Sequence, residues 1–209
     1  MREATLQRIT SARLIAILRG DFGNLVDTIA DHLVLAGVTV LEVTMNSPGA
    51  LEHIERLARR LTGRAAVGVG TVRNSTEVRR AADAGATFVV SAECIIDVIE
   101  ATRDRGLVSL PGCFTPTEVA VAFDAGADAV KLFPAVSLGV GFLRALRGPR
   151  PDLRAVPTGG ITLENAAEWL DAGAWALGVG GELIGRDADR AGIRERAEAF
   201  VRVCGGNGA

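Results

Sequence analysis

Of the 23 lysine and arginine residues in this chain, Lys131 is the only lysine. Wherever the sequence needs an ordinary surface cation it uses arginine, so a position that keeps lysine asks for a chemical reason. Arginine stays protonated and cannot act as an amine nucleophile, whereas a desolvated lysine can lose its proton and attack a carbonyl carbon. Lys131 lies in the otherwise apolar run Ala127-Asp128-Ala129-Val130-Lys131-Leu132, and Glu42 lies in Val38-Thr39-Val40-Leu41-Glu42-Val43. Burying either charge alone costs several kcal/mol or forces neutralisation. A neutral amine at Lys131 would form an imine with a ketone, and the iminium would let the adjacent carbon leave or accept a bond as an enamine. Glu42 is then the candidate general acid–base for the accompanying proton transfers.

The elements that must position these two groups are legible from periodicity. Short apolar, β-branched runs alternate with amphipathic stretches, which signals parallel strands joined by crossover helices. Strands are expected near 14–19, 38–43, 66–70, 86–91, 107–110, 127–131, 154–158 and 175–180. Helix signals lie between them, including the capping box Thr115-Pro116-Thr117-Glu118 with proline at the first helical position. Eight strand–helix units without a linker predict an α/β fold of the (β/α)8 TIM-barrel class.

A weak internal repeat sets the register. Ala36-Gly37-Val38, Ala84-Gly85-Ala86, Ala125-Gly126-Ala127 and Ala172-Gly173-Ala174 each end a helix and launch an even-numbered strand. Glycine suits the left-handed helix C-cap required there. Glu42 follows Gly37 by the same spacing as Lys131 follows Gly126, on strands two and six, which face each other across an eight-stranded barrel. Both side chains should therefore share one cavity at the C-terminal ends of the strands, the functional face of such barrels. Two glycine-rich strand ends, Thr158-Gly159-Gly160 and Gly178-Val179-Gly180-Gly181, follow strands seven and eight, where barrels often bind phosphate through backbone N–H groups.

Composition bounds the remaining possibilities. The 209 residues, 48% hydrophobic, suffice for one domain with a sizeable core, expected over 1–203 with a flexible tail at 204–209. No apolar run approaches the ~20 residues needed to span a bilayer, and residues 1–10 lack a signal-peptide pattern. The three cysteines, Cys94, Cys113 and Cys204, form no CxxC pair, so a reducing cytoplasmic setting is expected. A formal charge of −2 gives no global reason to expect a nucleic-acid partner. Cys113, near the functional face without an assigned base, is read as a packing residue.

Six segments in order resemble the bacterial aldolases acting on 2-keto-3-deoxy-6-phosphogluconate and its galactonate epimer, with the related 4-hydroxy-2-oxoglutarate aldolases. They are Ile15-Ala16-Ile17-Leu18-Arg19-Gly20, Leu41-Glu42-Val43-Thr44-Met45-Asn46-Ser47-Pro48, Gly68-Val69-Gly70-Thr71-Val72, Pro111-Gly112-Cys113-Phe114-Thr115-Pro116-Thr117-Glu118, Val130-Lys131-Leu132-Phe133-Pro134-Ala135 and Pro157-Thr158-Gly159-Gly160-Ile161. The resemblance implies that Lys131 is the Schiff-base lysine and Glu42 the catalytic acid–base. It implies that Arg19 and Thr71 hold the carboxylate of a small keto-acid substrate, that Phe133 packs beside the imine, and that Gly159, Gly160, Gly180 and Gly181 cradle a phosphate. Cleavage between C3 and C4 would give pyruvate and glyceraldehyde 3-phosphate without metal or organic cofactor, in a homotrimer with no membrane or nucleic-acid partner.

Several positions depart from the family pattern. Asn46 is more like galactonate-type and mixed-specificity members, while Thr158 is more like the gluconate type, leaving C4 stereochemistry open. Ser91-Ala92-Glu93 replaces the usual Ser-Pro after strand four. Gly181 replaces a common serine, and Glu182 adds negative charge beside it, so weaker phosphate binding, by ~1 kcal/mol for one lost hydrogen bond, or an unphosphorylated aldehyde is expected. A sugar-phosphate epimerase using the same Lys131 and Glu42, and a non-catalytic binding barrel, are the competing functions.

Overall fold

The computed structural model describes residues 1–185 and 190–205. Its parallel strands are β1 (Leu14–Leu18), β2 (Val40–Thr44), β3 (Ala66–Gly70), β4 (Phe88–Val90), β5 (Val108–Leu110), β6 (Gly112–Cys113), β7 (Val130–Leu132), β8 (Ala155–Pro157) and β9 (Leu177–Val179). The order β5-β4-β3-β2-β1-β9 continues through a second ladder, β6-β7-β8. The fifth expected strand, 107–110, is β5, and β6 continues it beyond Pro111, whose missing N–H interrupts the ladder while its carbonyl still accepts from the Lys131 N–H at 2.8 Å. The ring closes where Thr158 bridges Gly178 and where Trp175 N–H donates to the Ala155 carbonyl at 2.9 Å. With β5 and β6 counted as one interrupted strand, this is the expected eight-stranded α/β barrel.

The even-numbered predicted strands begin later than their hydrophobic runs, for one reason. In the four Ala-Gly-X repeats the glycine takes φ of 95°, 95°, 97° and 95° at Gly37, Gly85, Gly126 and Gly173. The next N–H then turns back into the preceding helix: Val38 to the Leu33 carbonyl, Ala86 to Ala81, Ala127 to Ala122 and Ala174 to Trp169. These residues complete the helix cap before the strand starts.

Inside the barrel, Ile15, Val40, Ala66, Phe88, Val108, Ala129, Val156 and Ala176 form one apolar cluster. A helix not foreseen in the sequence, Arg2–Ala12, contributes Ile9 to this cluster and closes the N-terminal end. Arg2 pairs with Asp128 there, whose carboxylate also accepts from the Ser109 N–H at 3.0 Å. A second, larger apolar shell lies between the strands and the outer helices.

One expectation, the tail at 204–209, needs adjustment. Cys204 and Gly205 belong to the last helix, Arg190–Gly205, and Cys204 is buried, because the apolar side of that helix continues to it; 206–209 lie outside the described residues. Among the described residues, no helix is long and apolar enough to cross a membrane.

Candidate active site

The period-two alternation of the strands puts Glu42 two residues above Val40 and Lys131 two residues above Ala129, on the interior face. Both side chains are only 2% exposed. In the ladders Glu42 stands beside Ile17 and Gly68, and Lys131 beside Gly112 and Val156. Counting around the ring, β2 and β7 are on opposite sides, as the repeat spacing required.

Two glycines on β3 make room for neighbouring side chains inside the barrel. A Cβ on Gly68 would fall 2.5 Å from the ring of Phe88, so the missing side chain admits that ring to the barrel centre. A Cβ on Gly70 would fall 1.8 Å from Oε1 of Glu42. The carboxyl group thus occupies the space that any side chain at 70 would need. Gly70→Ala is expected to displace Glu42 and reduce kcat by ~10²-fold or more while the chain still folds, since misplacing a catalytic group by about 1 Å costs that much. Steady-state kinetics alongside thermal unfolding checks this; a variant with wild-type kcat would show that the carboxyl position is irrelevant.

A cavity of about 600 Å³ opens beside Lys131 at the C-terminal ends of the strands. Its wall includes Arg19, Lys131, Phe133, Thr158, Gly159 and Gly160, continuing through Gly180 and Gly181. Eight of the ten residues singled out in the sequence therefore converge on one space. Glu42 and Thr71 are not part of that wall; Glu42 acts on it through the charges of Lys131 and Arg19, and Thr71 is bonded to it. Arg19 Nη2 donates to Thr71 Oγ1 at 3.2 Å, and Thr71 adopts φ of 58°, a left-handed conformation that costs ~1–3 kcal/mol for a non-glycine residue. Phe133, two residues beyond Lys131 on the same side of the chain, places its ring centroid 4.7 Å from Nζ. Thr158 Oγ1 donates to the Val156 carbonyl at 3.2 Å and fills the room left by Gly178.

The electrostatics are those of a dry site holding two ionisable groups. Burial pushes the Lys131 amine below its ordinary value of 10.5; Glu42 and Glu93 oppose that shift and Arg19 adds to it. Burial raises the Glu42 carboxyl above its ordinary 4.5, against the pull of Lys131 and Arg19. Desolvation wins at both residues, which favours the neutral amine and the neutral acid. Oε1 of Glu42 is buried without a protein hydrogen-bond partner, an unused acceptor where such groups are normally satisfied.

Side chains that sequence reasoning missed hold the rim. Ser47 Oγ accepts from the Gly20 N–H at 3.1 Å and shares a 2.9 Å hydrogen bond with Thr44 Oγ1, fixing the turn that carries Arg19. Ser47 stood in a quoted segment, but nothing local to it pointed across to Gly20. In the Ser91-Ala92-Glu93 loop, the Ala92 carbonyl packs where a Cβ on Gly112 would sit, 2.0 Å away, and Ser91 Oγ donates to the Glu93 carbonyl at 2.7 Å. After β7 the chain forms two helices, Ala135–Leu138 and Val140–Arg147, joined at Gly139. Cys113 is buried and its thiol is pushed far up by desolvation, which leaves it protonated and unreactive. Among the described residues, no group of three His, Cys, Asp or Glu side chains converges to hold a metal ion.

Several known proteins are similar to this chain. A probable 2-dehydro-3-deoxy-6-phosphogalactonate aldolase of Rhizobium meliloti is 35% identical over 90% of this chain and 89% of its own. A 2-dehydro-3-deoxy-phosphogluconate aldolase of Pseudomonas aeruginosa is 36% identical over 76% of this chain and 72% of its own. A solved structure described as native KDPGal superposes with a TM-score of 0.88 at 32% identity, covering 91% of this chain and 93% of that one. The sequence model described as KDPG and KHG aldolase matches residues 6–196, and the chain belongs to that aldolase family of lyases.

Proposed function

We propose that the protein is a class I aldolase cleaving a phosphorylated 2-keto-3-deoxy sugar acid to pyruvate and glyceraldehyde 3-phosphate, with Lys131 as the Schiff-base residue. The observation that carries this reading is a solitary lysine in the cavity wall, buried and shifted toward its neutral form, with the buried Glu42 carboxyl on the opposite strand acting on it electrostatically. Lys131 Nζ attacks the C2 ketone, and Glu42, starting as the neutral acid, gives its proton to the carbinolamine hydroxyl, so that water leaves, the iminium forms and Glu42 becomes a carboxylate. The C3–C4 bond then breaks toward the iminium, its electron pair forming the enamine as the C4 hydroxyl proton passes to Glu42 and the aldehyde leaves. Protonation of the enamine at C3 and hydrolysis of the imine release pyruvate and restore the amine.

Arg19, braced by Thr71, holds the substrate carboxylate, and Phe133 covers the imine against water. Thr158 faces the C4 region, and the amide groups of Gly159, Gly160, Gly180 and Gly181 receive the phosphate. Family membership favours this over the epimerase-like and non-catalytic readings. The named activities of the relatives, which include both galactonate and gluconate forms, support the substrate class. The trimer and the cytoplasmic setting belong to the same reading. Phe114, Val136 and Leu163, exposed apolar side chains following β6, β7 and β8, support an assembly at that face.

Pyruvate release, followed with each C4 epimer of the phosphorylated acid and with the unphosphorylated acids, tests the assignment. Turnover of at least one phosphorylated epimer is expected. Absence of turnover with all of them would remove the substrate assignment.

A further inference from the structure

Among the described residues, four charged side chains stand in the cavity wall: Arg19, Lys131, Glu182 and Arg196. The first two serve the reacting end. Arg196 comes from a different part of the chain, the helix Arg190–Gly205, and has been given no task. Its guanidinium is held in place from behind: Nε donates to the Leu183 carbonyl at 2.9 Å and Nη2 to the Ile184 carbonyl at 3.0 Å. Those two bonds use two of the five N–H groups of an arginine. No carboxylate among the described residues pairs with it. A Cβ on Gly185 would lie 2.8 Å from Nη2, so the glycine at the end of the turn Gly181–Ile184 leaves room for this fork.

We infer that Arg196 is the residue that recognises the distal anionic group of the substrate, pairing its remaining N–H groups with the phosphate beside Gly180 and Gly181. The inference rests on the aldolase reading and adds to it the choice between phosphorylated and plain substrates. Gly181 offers no hydroxyl to a phosphate, and Glu182 on the same wall opposes a dianion. A cation is therefore needed at that end if the ligand is phosphorylated, and a guanidinium presents several donors in a fixed geometry suited to phosphate oxygens. A substrate ending in a neutral hydroxymethyl group would offer Arg196 no anion of its own to meet.

Arg196→Gln and Arg196→Lys are to be compared with the wild type on a phosphorylated 2-keto-3-deoxy acid and on its unphosphorylated counterpart, with inorganic phosphate as competitive inhibitor. Arg196→Gln is expected to raise KM for the phosphorylated acid and Ki for phosphate by roughly 10- to 100-fold, the worth of one charge-assisted contact. Its kcat, and kcat/KM for the plain acid, should stay within about two-fold of wild type. Arg196→Lys, which keeps the charge and loses the fork, should fall between the two. An equal loss on both substrates, with a lowered Tm, would mean that Arg196 only clasps the Gly181–Ile184 turn, and would overturn the inference. An unchanged KM, or a wild type that prefers the plain acid, would overturn it while leaving the aldolase standing. A wild type inactive on both acids would sink the aldolase reading instead, and the phosphate arm, read as direct binding by calorimetry, would still decide for or against Arg196.

Discussion

Lys131→Met is expected to reduce kcat by at least roughly 10³-fold, to the background left by binding alone, while Tm stays equal to the wild type or rises. The loss follows from the mechanism, since no other amine in the sequence side chains can form the imine. The Tm expectation follows from the direction of the pKa shift. The folded protein holds the lysine proton less firmly than the unfolded chain, because burial disfavours the ammonium. The stability associated with this group is therefore present above its ordinary value of 10.5 and is lost as pH falls through the lowered folded value. Methionine, apolar and of similar length, removes that loss. Arginine is the poorer substitute, because it would set a permanent charge in the same dry wall. Circular-dichroism melting beside the turnover assay checks both halves. Substantial residual activity in a folded Lys131→Met protein would contradict the mechanism.

Glu42→Gln is expected to lower kcat by ~10²- to 10⁴-fold, the range for loss of a positioned acid–base group. It should also move the pH profile in a defined direction. The negative charge of Glu42 favours the ammonium form of Lys131, so removing it lowers the lysine pKa further. The limb of kcat/KM that reports amine deprotonation should accordingly lie below 10.5 in the wild type and lower still in the variant. A limb that moves upward, or a variant with full activity, would assign the proton transfers to another group. The glutamine variant should also be the more stable protein at neutral pH, provided Lys131 stays neutral there. The raised carboxyl is compatible with folding below its ordinary 4.5 and costs stability as pH rises through its folded value.

The proposed catalytic pair was legible in the sequence because three independent regularities coincided. Lysine occurs once, both residues interrupt apolar strands, and both stand at one spacing from a capping glycine. The helix-cap hydrogen bonds at Gly37 and Gly126 show why that spacing works, since each cap restarts the chain at the same height on the barrel. What remained hidden depended on contacts between distant segments. The Arg2–Ala12 helix buries only Thr5 and Ile9, too thin an apolar face to register as periodicity. The role of Gly70 lies in a carboxyl group carried by the neighbouring strand. Arg196 sits among other arginines on the last helix, and only the folded chain distinguishes it from Arg194, which pairs with Glu198 at 2.8 Å on the surface.

Most of the site's function is an argument about one bond, between Nζ of Lys131 and C2 of a keto acid. Incubating the protein with pyruvate and borohydride, then mapping the modified peptide by mass spectrometry, reads that bond directly. The account predicts a reduced pyruvyl adduct on Lys131, absent from Lys131→Met and slow to form in Glu42→Gln. An unmodified Lys131, under conditions that label an authentic Schiff-base aldolase, would contradict it.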